Sequence, residues 1–185
     1  MSQVFTPESK AIIPTNKPTL FLGGSIEMGK AYDWQSNAIQ HFMEDDFVIL
    51  NPRRPDWDNT WIQSAGNPQF DWQVNWELNG IDAADCVIMY MDEGTKSPIT
   101  MMELGYCAGK VYAGDIAKTV AFCREGFWRK GNVDIISMRN RIPVFDGSMA
   151  DFYKEVRDVM LRNHNRRTTV KQGWDYGRGV TPPNY

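Results

Sequence analysis

Short apolar runs alternate with longer segments of mixed polarity from residue 19 to about residue 163. Thr19-Leu-Phe-Leu-Gly-Gly, Phe47-Val-Ile-Leu50, Asp85-Cys-Val-Ile-Met-Tyr90, residues 116–123 and Pro143-Val-Phe145 each have the length and the flanking turn residues of a buried strand. The stretches between them, residues 30–43, 69–83, 99–113 and 148–163, read as helices. Strands that are apolar throughout, separated by helices, imply a parallel sheet covered on both faces. The pattern therefore predicts one α/β domain over residues 19–163. Residues 1–18, interrupted by Pro7, Pro14 and Pro18, read as a mobile or draped arm, and residues 164–185 as a C-terminal tail without periodicity. Residues 51–68 form a long irregular connection, and such loops inside compact domains tend to be functional.

Composition narrows the class of protein. A chain of 185 residues, 42% hydrophobic and 23% charged, suits a single soluble domain with a real core. A net charge of −3 argues against general binding to nucleic acid. Arg166-Arg167 with Trp174, Tyr176 and Arg178 could stack on bases, but a tail draped over the protein or a neighbouring subunit is the reading favoured for an acidic chain. No apolar run is long enough to span a membrane, and the N-terminus lacks a signal-peptide pattern. Cys86, Cys107 and Cys123, odd in number and at apolar positions, read as reduced core thiols of a cytoplasmic protein. With only His41 and His164 and no ligand spacing, neither a metal nor a cofactor is expected.

The candidate chemistry lies where strands are expected to end. Gly23-Gly24-Ser25-Ile-Glu27-Met-Gly29 is a glycine turn between a strand and a helix, able to offer N–H groups and a hydroxyl to a ligand. It has neither the Walker nor the dinucleotide spacing. Glu27 would repel a phosphate placed there. Glu103 stands in the first turns of the helix that follows the third strand, a position where α/β sheets bind ligands. The helix N-terminus should favour its ionised form, and Tyr106 lies three residues on. Gly105, Ala108 and Gly109 are expected to let this helix lie close to the sheet. Glu77, flanked by Trp72 and Trp76, suits hydrogen bonding to a flat heterocycle. Asp85, at a strand start, reads as a partner for turn N–H groups. Without a metal, a His base or a Ser/His/Asp set, carboxylate chemistry at a sugar carbon is best supported. A second acid must protonate the leaving group, and Glu77, Asp92 or Glu93 could supply it.

Four segments in order, Phe21-Leu-Gly-Gly-Ser-Ile-Glu-Met-Gly with Trp34-Gln35, Asn51-Pro-Arg-Arg, Trp76-Glu77, and Glu103-Leu-Gly-Tyr with Gly109-Lys110, resemble the nucleoside 2-deoxyribosyltransferase family, and most its second branch. A fainter likeness falls at Lys130-Gly-Asn-Val-Asp134. The resemblance implies a flavodoxin-like or Rossmann-like sheet and cleavage of the N-glycosidic bond of a deoxynucleoside. It implies a covalent deoxyribosyl intermediate on Glu103, with Glu77 positioning the base. Gly23, Gly24 and Ser25 would hold the 5′ end of the sugar, with Trp34, Ser97 and Tyr106 also at the substrate. Asn132 would reach the site of a neighbouring subunit in an oligomer, at least a dimer. Ser97 stands where the transferases carry an acid and resembles the related deoxynucleoside 5′-monophosphate N-hydrolases. Those hydrolases place an Arg where this chain has Glu27.

The reading is a deoxyribosyl transferase that takes the sugar from a 2′-deoxynucleoside and passes it to a free base. The alternatives are a hydrolase of deoxynucleoside 5′-monophosphates and a non-catalytic nucleotide-binding module.

Overall fold

The computed structural model describes residues 1–9, 16–27, 31–54 and 60–171. Six parallel strands form one sheet in the order β1-β3-β2-β4-β5-β6. They are β1 (Gln3–Phe5), β2 (Thr19–Gly24), β3 (Val48–Leu50), β4 (Cys86–Met91), β5 (Thr119–Cys123) and β6 (Val144–Phe145). The helices are α1 (Trp34–Phe42), α2 (Pro68–Ala83), α3 (Pro98–Tyr112), α4 (Lys130–Arg139) and α5 (Met149–Lys171). Setting β1 aside, the order is that of a flavodoxin-like sheet, so the parallel α/β architecture expected from the strand–helix alternation is the one found.

The two faces of the sheet bury different partners. Alternation along β2 sends Phe21 to one core and Leu20 and Leu22 to the other. The first core gathers Ile81 of α2, Leu104, Cys107 and Ala108 of α3, and Val133 of α4. The second gathers Trp34, Ala38 and Phe42 of α1 with Phe152, Val156 and Met160 of α5. All three cysteines are buried free thiols.

Three expectations change. The start of the proposed arm is part of the sheet: β1 pairs with β3 from Gln3 opposite Val48 to Phe5 opposite Leu50. Glu8 then pairs with Arg54 at 2.9 Å, and Trp72 Nε1 donates to the Pro7 carbonyl, which ties this segment to α2. Pro14 lies outside the described residues, as do Gly29 and Lys30. The last helix continues beyond residue 163 to Lys171. Its extension is anchored by Arg167, whose Nε and Nη2 donate to the buried Asp85 carboxylate at 2.8 Å each. Asp85 also accepts from the Thr19 amide at 2.9 Å, which is the role expected of it. Trp174, Tyr176 and Arg178 lie outside the described residues. Gly105 and Gly109 are exposed, with nothing for a Cβ to meet, so they are not what brings α3 to the sheet. The close approach belongs to α2, where a Cβ on Gly80 would stand 2.8 Å from the Phe21 ring.

Candidate active site

β2 leads through α1 to β3 on one side, and β3 leads through α2 to β4 on the other. The crevice above the ends of β2 and β4 is therefore the point where the winding reverses, the usual ligand position in open parallel sheets. The loops that follow Gly24 and Met91 both open there.

Close packing shapes the glycine turn. A Cβ on Gly24 would come within 2.6 Å of the Trp34 ring and of the Tyr90 carbonyl. Trp34 stacks on Tyr90 with ring centroids 4.9 Å apart and donates its Nε1 proton to the Ser25 carbonyl at 3.0 Å. Only glycine fits between them. Gly23 is almost as confined, its Cβ position 2.9 Å from the Ile88 carbonyl. Trp34 is thus a buried buttress of the turn, and the edge it leaves open forms part of the wall of the cleft beside β4.

Ser25, Thr95 and Ser97 converge in a buried hydroxyl cluster. Ser25 Oγ lies 2.9 Å from Thr95 Oγ1 and also bonds Ser97 Oγ, and Thr95 Oγ1 lies 2.7 Å from Ser97 Oγ. The Asp92 amide donates to Ser25 Oγ at 2.9 Å. Ser25 and Ser97, expected at the substrate, are buried here, and with Thr95 their hydroxyls pin the two loops together. The free N–H groups ahead of α3 are taken up by the protein itself: the Glu27 carboxylate accepts from the Ser97 amide at 2.8 Å and from the Lys96 amide. Glu27 and Ser97 both adopt left-handed backbone conformations, with φ of 41° and 45°. Such geometry is uncommon for side-chain-bearing residues and is held here by the hydroxyl cluster and the carboxylate.

Glu103 and Glu77 come from neighbouring elements, α3 and α2, on the same face of the sheet. Both are half-buried. Burial pushes Glu103 up to about 8, with the negative charge of Glu77 adding to the effect. Burial also raises Glu77, to about 7, against a lowering hydrogen bond from Gln73. The expectation that the helix N-terminus keeps Glu103 ionised is therefore corrected. Glu103 is the sixth residue of α3, beyond the first turn where the dipole acts, and desolvation dominates. Both carboxyls are thus raised towards neutrality, and the charge of Glu77 acts on Glu103.

The remaining candidates stand apart. The Tyr106 hydroxyl donates to Asp82, which also holds Lys110 Nζ at 2.7 Å, so Tyr106 belongs to a surface network. Asn132 is exposed on α4. Gln73 and Gln35 went unnoticed as site residues. Both are buried, and both latch the segment after β3: Gln73 Nε2 donates to the Pro52 carbonyl at 3.1 Å, and Arg53 Nη1 donates to Gln35 Oε1 at 3.1 Å. A glutamine in a helix carries no signal of its own, and only its burial reveals it. A cleft of about 800 Å³ lies on the α1 and α5 side of β4, lined by Tyr32, His41, Tyr90, Asp92, Arg124 and Tyr153, and neither carboxylate of the pair lines it. Among the described residues no group of three or more His, Cys, Asp or Glu side chains could hold a metal ion, and no helix is long and apolar enough to cross a membrane.

No curated protein matches the chain. A family model described as "Nucleoside 2-deoxyribosyltransferase like" matches residues 17–127, a span that contains the glycine turn, the hydroxyl cluster, Glu77 and Glu103. The matched span covers more than half of the protein, and the chain belongs to the nucleoside 2-deoxyribosyltransferase-like family.

Proposed function

We propose that the protein cleaves the N-glycosidic bond of 2′-deoxynucleosides and passes the deoxyribosyl group to another base. The observation that carries this reading is the pair of carboxyls, Glu103 on α3 and Glu77 on α2, both raised towards neutrality by burial and near enough for the charge of one to act on the other. A glycosyl transfer with retention needs one carboxylate as nucleophile and one carboxylic acid as proton donor. A once-protonated pair contains both. The reaction runs from the arrangement with Glu103 ionised and Glu77 neutral, the less populated of the two because burial makes Glu103 hold its proton more tightly. Glu103 attacks C1′ and forms the ester bond. The C1′–N bond breaks, its electron pair goes to the base nitrogen, and Glu77 delivers the proton. An acceptor base then gives a proton back to Glu77 and attacks C1′ from the vacated side, which frees Glu103. Water in place of the second base gives hydrolysis.

Glu27 favours nucleosides over 5′-monophosphates. A phosphate drawn to the amides ahead of α3 would have to displace a carboxylate already bonded to two of them, and like charges at that distance oppose each other. Gly23, Gly24, Ser25 and Ser97 then fix the shape of the two loops against which the 5′ end of the sugar rests. Family membership and the apolar side chains exposed on α3 and α4 support a homo-oligomer in which Asn132 completes a neighbour's site.

The test is chromatographic. The protein is incubated with deoxynucleosides and their 5′-monophosphates, with and without a free acceptor base, beside Glu103→Ala. New nucleoside formed only with acceptor, and no turnover in Glu103→Ala, is the expected result. Base released mainly from monophosphates would replace this reading with the hydrolase. Ligand binding without any bond cleavage would replace it with a binding module.

A further inference from the structure

Gln73 is buried to the level of the core, yet only one end of its amide is partnered. Its Nε2 group donates to Glu77 Oε1 at 2.7 Å and to the Pro52 carbonyl at 3.1 Å, while its Oε1 is buried with no hydrogen-bond partner. The orientation of the amide is therefore settled by chemistry. The Pro52 carbonyl can only accept, so Nε2 must face it, and the second Nε2 proton points at Glu77. An oxygen already receiving that proton is a poor place for another. Glu77 makes no other hydrogen bond among the described residues, which leaves Oε2 free.

We propose that Gln73 is a positioning residue that keeps Glu77 Oε1 an acceptor and leaves the transferable proton on Oε2. The inference rests on the reading of Glu77 as the proton donor. A buried amide oxygen without a partner is destabilising, and an apolar side chain of the same length would avoid it. Packing alone does not account for a glutamine here; a clamp on an acid, together with the tie between α2 and the segment after β3, does.

Gln73→Met removes the donor and retains length and volume. Its melting temperature is expected to stay close to that of the parent, because loss of the tie to the Pro52 carbonyl is offset by removal of the unpartnered Oε1, whereas a purely structural glutamine would give a clearly lower one. In the glycosidic assay kcat is expected to fall by about tenfold or more with KM nearly constant, since an ill-placed general acid loses much of its effect. The alkaline limb of the pH profile is expected to move upward, because the hydrogen bond that lowers Glu77 is gone. An unchanged kcat and limb would overturn the proposal, as would a fall in kcat together with melting temperature and no movement of the limb. Should Gln73→Met fail to fold, Gln73→Glu keeps the shape and can donate only when neutral. Its activity is expected to recover as pH falls, and indifference to pH would count against the clamp. Carbon-13 titration of the Glu77 carboxyl reads the contact without any turnover: its midpoint is expected to rise in Gln73→Met, and an unmoved midpoint would reject the inference. Activity persisting in Glu103→Ala would instead remove the nucleophile assignment and leave this carboxyl titration to judge Gln73 separately.

Discussion

Glu103 shows how a functional side chain and a stabilising one differ. Its carboxyl is raised in the folded protein to about 8 and returns to its ordinary range on unfolding. The folded state thus binds more protons than the unfolded state between those two values, so stability is greatest at low pH and falls as pH rises towards 8. Glu103→Gln removes the penalty of burying the charge. At pH 8 it is expected to stabilise the protein by roughly 2 kcal/mol, read as a rise in melting temperature of several degrees. The gain should shrink towards pH 5, where the parent carboxyl is already neutral. A Glu103→Gln variant no more stable than the parent at pH 8 would show that the carboxyl is solvated. The identity of Glu103 as a candidate was legible in the sequence, from its place after the third strand. Its ionisation state was not, because desolvation depends on what α2 brings against α3.

At the scale of elements, five of the six strands and four of the five helices were readable, from apolar runs and from apolar positions that follow a period. α4 was not anticipated. Its sequence, Lys-Gly-Asn-Val-Asp-Ile-Ile-Ser-Met-Arg, buries only Val133 and Ser137, and no amphipathic stripe results. The glycines of the helices were also misassigned. Gly105 and Gly109 look as suited to close packing as Gly80, and only the tertiary contact distinguishes them. Gly80→Val would drive a branched side chain into the Phe21 ring at the α2 contact. It is expected to lower stability by about 1–3 kcal/mol, measured by urea unfolding, and to shift α2 with its Glu77. A variant as stable as the parent, with full activity, would show that α2 does not rest on β2 through this glycine.

At the scale of the molecule, large apolar side chains stand exposed together on one pair of helices. α3 packs against α4, and together they leave Ile99, Met102, Tyr112, Ile135 and Met138 more than half exposed. Sedimentation is expected to find at least a dimer, with Met102→Glu and Met138→Glu together shifting it towards monomer and reducing activity. A monomeric parent with full turnover would end the idea of a shared site.

Taken by itself, the sequence determined the parallel α/β class, five of its six strands and the family, because periodicity and short motifs are local properties that survive without a fold. The tertiary structure alone decided three things. It placed residues 3–5 in the sheet, since an edge strand is defined by the partner it finds. It joined the hydroxyls of Ser25 and Ser97 and laid Glu27 across the amides of Lys96 and Ser97, contacts that join residues some seventy apart. And it set Glu77 beside Glu103 with Gln73 behind it, because proton affinity inside a protein is fixed by burial and by neighbours that no local pattern can name.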